Sequence, residues 1–218
     1  MLQGMATDPM DPATAVTWGP FIQAAYEQYV SHPSEVNPAA ITNMPAGYTL
    51  VRTIQMTDFF GPVQTRVFYG FVAVGGDPKT AVVALRGTAG LDPGLPTVVC
   101  GHSLGGALAT LLVADVTANT QLKPQAWTFA SPRVGDAIFA ARYGALSTVS
   151  WRIYNQVDVV PYFPIDTSGG YQPVTAGYAI NSLAKAHWSL GCAHALNTYL
   201  HVLSPAMVPL DPACKPAS

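Results

Sequence analysis

The stretch Thr97-Val98-Val99-Cys100-Gly101-His102-Ser103-Leu104-Gly105-Gly106-Ala107-Leu108-Ala109 decides how the chain reads. A strand-like run, Thr97–Cys100, enters a glycine-flanked turn, and a mostly apolar helix leaves it over Leu104–Thr117. Taken alone, the string Gly101-His102-Ser103-Leu104-Gly105 is common enough to arise by chance. Between a strand and a helix it acquires a mechanical meaning. A sharp strand-to-helix turn holds its serine in a strained backbone, and small neighbours relieve the crowding. The hydroxyl then stands above the sheet, over the unpaired N–H groups of a helix N-terminus, which can receive a developing negative charge. The plain alternative is an ordinary glycine-rich connection between strand and helix.

Outward from this turn the pattern continues as alternation. Downstream, Gln125–Ala130 reads as a strand, Asp136–Leu146 as a helix, Ser150–Tyr154 as a strand and Ala193–Leu203 as the last helix. Upstream, Trp18, Phe21, Ile22, Ala25, Tyr26, Tyr29 and Val30 share one helical face, with Pro20 tolerated in the first turn and Ser31-His32-Pro33 as the stop. Three strand-like runs follow, Tyr48–Met56, Arg66–Val74 and Thr80–Leu85. The last two are joined by the hairpin signal Gly75-Gly76-Asp77-Pro78. Ala81–Leu85 is continuously apolar, as a strand covered on both faces would be. The alternation predicts an α/β fold, a largely parallel sheet with helices on both faces. No repeat or linker interrupts it, so residues 1–218 read as a single domain.

Composition narrows the function classes. Half of the 218 residues are hydrophobic and only 10% are charged, with a mean hydropathy of +0.26. Disorder is excluded, since disordered chains are rich in charge and poor in hydrophobes. The net charge is −2 and the ten basic residues are scattered, which leaves no electrostatic footprint for nucleic acid. Apolar runs such as Gly105–Ala114 are too short for a transmembrane segment. Cys100, Cys192 and Cys214 contain no Cys-x-x-Cys pair, so a zinc or thioredoxin-like framework is excluded. One bridge, Cys192–Cys214, with Cys100 as a buried thiol, is the expectation if the protein is exported. Low charge and just two glutamates, Glu27 and Glu35, suit secretion, although Met1–Asp11 has neither the basic start nor the apolar core of a signal peptide.

A serine hydroxyl needs a base, and the base needs an orienting acid. Every acid after Ser103 is an aspartate. Asp115 falls within the helix after the serine, Asp136 suits a helix cap, and Asp211 follows every histidine. Asp158 lies just past the C-terminal end of a strand, where parallel sheets place their chemistry, with Asp166 in reserve. His201 suits the end of the last helix, and both His187 and His194 remain open as base, His194 preferred. The seven-residue spacing of these histidines does not fit a metal site on a helix.

Five blocks carry a resemblance: Ala84–Thr88, Gly101–Ala109, Phe129–Asp136, Asn155–Pro161 and His194–Leu200. In this order they resemble the class 3 lipases, the fungal-type triacylglycerol lipases and their relatives, which have an α/β-hydrolase fold. The resemblance implies Ser103 as nucleophile, Asp158 as acid and His194 as base, with Thr88 and Leu104 supplying the oxyanion N–H groups. It implies a serine hydrolase of acyl esters, such as glycerides, that needs no metal or organic cofactor. Its partners would be a small-molecule or lipid ester and a lipid surface, with no nucleic acid. Phe129–Asp136 and Asn155 match blocks that read as structural.

One departure from the family stands out. Between the Arg86-Gly87-Thr88 block and the nucleophile strand the family carries a helical lid and a crossover helix. Here Arg86–Pro96, rich in Pro and Gly, is too short for them. Either the loop is compact and lidless, or a segment of the natural protein is omitted from this chain. Aromatic residues Phe59, Phe60, Tyr162, Phe163 and Trp188 are candidates for an acyl pocket. Two other readings share these features: an aryl or polymer esterase on the same fold, and a catalytically silent relative that binds lipid or protein.

Overall fold

A computed structural model describes residues 9–58, 65–85, 96–146, 149–165 and 170–216. The chain opens with two helices, α1 (Pro12–Thr17) and α2 (Gly19–Ser31). Asp11 caps α1, its carboxylate accepting the N–H groups of Ala13 and Thr14 at 3.1 and 2.9 Å. On α2 the expected residues Phe21, Ile22 and Ala25 are buried and Tyr26 and Tyr29 half-buried; Ala24 and Gln28, which the periodicity does not place on that face, are buried as well, and Val30, which it does, is exposed at the helix end. Strands β1 (Tyr48–Asp58), β2 (Thr65–Gly75) and β3 (Thr80–Leu85) follow, pairing antiparallel in succession, and the expected hairpin joins β2 to β3.

Then come β4 (Thr97–His102), α3 (Leu104–Asn119), β5 (Gln125–Phe129), the two-residue β6 (Gly135–Asp136), α4 (Ala137–Gly144) and β7 (Ser150–Asn155). The chain closes with β8 (Tyr171–Gln172), β9 (Tyr178–Ile180), α5 (Leu190–His194) and α6 (Leu196–Leu203). The main sheet runs in the order β1-β2-β3-β4-β5-β7-β9, and every pairing from β3 onward is parallel.

Strand alternation distributes the core into two apolar layers. Val82, Ala84, Val98, Cys100, Trp127 and Phe129 pack with α1, α2 and α6 on one face of the sheet. Val83, Leu85, Val99 and Ala126 pack with α3 and α4 on the other. Each such buried aliphatic or aromatic side chain stabilises the fold by about 1.5–3 kcal/mol. Both faces are therefore covered, which is why β3 reads as an unbroken apolar run over Ala81–Leu85.

Three features depart from the sequence expectation. The last helix is not continuous over 193–203, because Ala195 is extended (φ −61°, ψ 131°) and splits it into α5 and α6. The helix expected over 136–146 begins after Asp136, which caps α4 by accepting the N–H of Phe139 at 2.8 Å. The short strands β6, β8 and β9 carry no periodicity legible in two or three residues. Residues 86–95, which hold Thr88 and the shortened connection, lie outside the described residues, as do Asp166, Phe59 and Phe60. Among the described residues no helix is long and apolar enough to cross a membrane.

A disulfide joins Cys192 on α5 to Cys214 in the 3-10 turn Pro212–Cys214, while Cys100 is a buried free thiol whose pKa burial pushes upward. Closing a loop of this size limits the unfolded ensemble, so reduction is expected to lower stability by about 3 kcal/mol. Urea unfolding with and without a phosphine reductant, with Cys192→Ser/Cys214→Ser as the permanently open form, measures this. Equal midpoints would show that the bridge contributes nothing.

Candidate active site

The turn between β4 and α3 is bent as its glycines predict. Ser103 has φ 57° and ψ −126°, a left-handed backbone that non-glycine residues rarely adopt. The close packing around it excludes side chains. A Cβ on Gly101 would fall 2.2 Å from the Gly105 carbonyl oxygen, and one on Gly106 would fall 2.9 Å from the Ser131 Cβ. The Ser103 N–H donates to the Phe129 carbonyl at 2.9 Å, which ties the turn to the end of β5. Behind it, the Ser103 carbonyl accepts the N–H groups of Gly106 and Ala107, starting α3.

Ser103 Oγ lies 2.8 Å from His194 Nε2. On the other side of the ring, His194 Nδ1–H donates to Asp158 Oδ2 at 2.8 Å. The three residues come from the end of β4, the end of α5 and the loop after β7. Asp158 is 1% exposed, yet its carboxylate is fully engaged. Oδ1 accepts the Val160 N–H at 3.0 Å, and Oδ2 also accepts the Tyr199 hydroxyl at 2.7 Å. Such charge-assisted bonds are what make a buried carboxylate tolerable.

Tyr199, on α6, is fully buried. Burial first, and the neighbouring Asp158 charge second, push its phenol pKa well upward, so it stays a donor toward Asp158. The same oxygen accepts the backbone N–H of Asn155 at 2.9 Å. Beside the His194 ring sits His102, its centroid 4.8 Å away. His102 Nε2 donates to the His194 carbonyl at 2.7 Å, and Nδ1 faces the Tyr26 hydroxyl at 3.2 Å. Burial, reinforced by His194, holds the His102 imidazole at about 4, hence neutral at pH 7.

The structure brings Ser103, Asp158 and His194 together, and Leu104, which follows Ser103 in the chain, is the first residue of α3. It does not bring in the rival histidines. His187 is exposed, its backbone N–H donating to the Cys214 carbonyl at 2.7 Å, and His201 turns to the Val208 carbonyl at 2.8 Å. Tyr199, His102 and Asn155 were not singled out for the site from sequence. All three lie inside the quoted blocks, but nothing in their spacing distinguishes a side chain that meets the site from one that fills the core.

A family model described as Lipase (class 3) matches residues 50–168, more than half of the chain. The chain belongs to the class 3 lipase family. Phospholipase A1-IIgamma of Arabidopsis thaliana is 35% identical over 125 residues, covering 50% of this chain and 29% of that protein. The secreted mono- and diacylglycerol lipase A of Penicillium cyclopium is 37% identical over 91 residues, covering 42% of this chain and 29% of that lipase. The matched stretches thus span less than a third of either relative. Among solved structures, a mutant of MDLA from Penicillium cyclopium aligns with a TM-score of 0.60 at 22% identity, covering 81% of this chain and 82% of the other. At that identity the likeness is one of fold, and it is the α/β-hydrolase fold with its mostly parallel sheet.

The geometry of this candidate site makes two stability predictions. Replacing Ser103 by glycine removes the left-handed strain, so Ser103→Gly should be about 1 kcal/mol more stable than Ser103→Ala, after allowing for glycine's greater chain entropy. Urea midpoints of the two variants decide it, and an equal or lower midpoint for the glycine variant would refute stored strain. His102 binds its proton near pH 6.5 in the unfolded chain and only at about 4 in the fold. The unfolded state takes up the proton first as pH falls, so its contribution to stability is full above about pH 6.5 and is lost toward pH 4. Midpoints across this window should fall more steeply for the native chain than for His102→Gln.

Proposed function

We propose that this chain is a serine hydrolase of carboxylic esters, with acyl glycerides as the substrate class. The observation that carries this reading is the continuous hydrogen-bond path from Ser103 Oγ through His194 to Asp158, 2.8 Å at each step. As Ser103 Oγ bonds to the ester carbonyl carbon, its proton passes to His194 Nε2. Asp158 holds the Nδ1–H tautomer and stabilises the imidazolium. The carbonyl oxygen becomes an oxyanion, for which the Leu104 N–H at the start of α3 is the available donor, with Thr88 the second donor that the family resemblance suggests. Collapse breaks the bond to the alcohol, which leaves with the proton from His194. Water then attacks the acyl-enzyme by the same steps, regenerating Ser103. No redox or metal chemistry enters this cycle.

The surroundings favour an apolar acyl group over a polar one. Leu104, Val159, Tyr162, Phe163, Ile165 and Trp188, each within a few residues of Ser103, Asp158 or His194 in the chain, are 40–71% exposed. Exposed apolar side chains on these segments suit contact with lipid aggregates. The names of the relatives, a phospholipase and a mono- and diacylglycerol lipase, point the same way. The Cys192–Cys214 bridge supports an exported protein, because disulfides persist in oxidising compartments.

A fluorophosphonate should label Ser103, and Ser103→Ala should abolish both labelling and hydrolysis of mono- and diacylglycerols. Asp158→Asn should fold yet lose about ten-thousandfold in rate. Labelling at another serine, or full turnover by Ser103→Ala, would overturn the reading.

A further inference from the structure

The segment that carries the base is an unusually slight support for a residue that must be placed within a fraction of an ångström. Helix α5 has only five residues, and Ala195 breaks the backbone immediately after His194. The carbonyls at a helix C-terminus have no partner in the helix itself. Here two consecutive ones, of Ala193 and His194, are taken by side chains from the sheet. Asn155 Nδ2 donates to the Ala193 carbonyl at 2.9 Å, and His102 Nε2 donates to the His194 carbonyl at 2.7 Å. Both donors stand at strand ends, His102 at the last position of β4 and Asn155 at the last position of β7. These are the strand that leads into Ser103 and the strand that leads into Asp158.

Each donor is itself held. Asn155 is fully buried, its second amide hydrogen donates to Ser182 Oγ at 2.8 Å, and its Oδ1 accepts the Ser182 N–H at 3.1 Å. Its orientation is thereby fixed, with the amide nitrogen toward α5. His102 has one orientation too. A carbonyl can only accept, so Nε2 carries the hydrogen and Nδ1 accepts from the Tyr26 hydroxyl on α2, which also lies 3.5 Å from the His102 carbonyl. Known triad chemistry accounts for the imidazole ring, gripped at Nδ1 by Asp158. It does not account for why the peptide groups beneath that ring are gripped by the two strands that supply its partners.

We infer that His102 and Asn155 are positioning residues for the base, clamping the backbone of residues 193–194 so that nucleophile, base and acid share one rigid frame. This inference rests on the ester-hydrolase reading. A ring displaced by about 1 Å from Ser103 costs on the order of a hundredfold in rate, with little effect on substrate affinity. The clamp therefore acts on kcat and leaves KM alone.

The test compares His102→Leu, which fills the space without a donor, with His102→Gln, which retains an N–H near the place of Nε2, and with Asn155→Ala. Hydrolysis of p-nitrophenyl butyrate gives kcat and KM, circular dichroism reports folding, and the low-field proton resonance of His194 Nδ1–H reports the His194–Asp158 bond. His102→Leu and Asn155→Ala are expected to lose about thirtyfold to a hundredfold in kcat at near-constant KM, with that resonance broadened or shifted. His102→Gln is expected to recover most of the rate. Folded His102→Leu and Asn155→Ala proteins with kcat within about threefold of the native value would overturn the inference, as would a His102→Gln variant no better than His102→Leu. Should the first two variants not fold, Tyr26→Phe carries the test, since it removes the hydroxyl that faces Nδ1 while leaving the His102 and Asn155 side chains in place. A fall of several-fold in kcat at constant KM supports the clamp, and an unchanged kcat refutes it. A native protein that hydrolyses no ester and takes no fluorophosphonate would instead refute the hydrolase reading, which keeps the two failures apart.

Discussion

The positive φ of Ser103 is the constraint on which the site and much of the fold depend. A backbone bent that sharply between β4 and α3 leaves no room beside it, so positions 101 and 106 admit no Cβ without collision. The bend also needs an external hold, supplied where the Ser103 N–H meets the Phe129 carbonyl. Strand β5 must therefore be parallel to β4 and in its observed register, His102 opposite Phe129. Once that register holds, Val99 and Ala126 face one apolar layer while Cys100 and Trp127 face the other. The strained residue is tolerated because, among the described residues, 36 buried side chains fill those two layers, each contributing on the order of a kcal/mol.

His194 is held by a different logic. Ser103 and Asp158 follow strands of the central sheet and inherit its rigidity. His194 ends a five-residue helix between a loop and a break, and it inherits none. Its place is set from outside by three kinds of tie. Asp158 meets its ring, strand-end side chains meet its carbonyl and that of Ala193, and the Cys192–Cys214 bridge anchors its helix to the C-terminal turn. The C-terminal segment is stitched back further, Asn197 bonding the Pro209 carbonyl and the Asp211 N–H. Local secondary structure is too short to position His194, so tertiary contacts take over that role.

Most of this architecture was legible in the sequence where a period ran long enough to be read. The hairpin signal between β2 and β3, the apolar run of β3, the strand-like entry of β4 into the turn and the helix α3 are all in the structure, and the face of α2 is there in part. Ser103 and Asp158 could be placed because each sits at a fixed point on a strand end. The break at Ala195 could not, because alanine favours helix continuation and only the tertiary pull on the flanking carbonyls overrides it. Tyr199 and Val30 mark the same limit from opposite sides. Both lie on apolar helical faces, yet one reaches a buried carboxylate and the other faces solvent at a helix end. Asn155 read as structural, and its position is so; what spacing alone could not show is that its amide meets the backbone just before His194.

The polar network at the C-terminal edge of the sheet also bears on why the chain adopts one arrangement. Asp158, Asn155 and His102 are all buried, and a buried carboxylate or amide left without partners costs several kcal/mol. Apart from Val160, two residues from Asp158, their partners come from elements distant in sequence: Tyr199 on α6, Ser182 in the loop after β9, Ala193 and His194 on α5, and Tyr26 on α2. A one-residue slip of β7 against β5 would turn Asn155 to the opposite face of the sheet and strand both its amide and the Ala193 carbonyl. A rotation of α6 would take the Tyr199 hydroxyl from Asp158 and leave a charge with fewer donors. The apolar layers tolerate such errors better, because one aliphatic side chain replaces another at modest cost. The hydrophobic core therefore supplies the bulk of the stability, while the hydrogen-bonded edge penalises every misalignment that would also misplace the serine, the histidine and the aspartate.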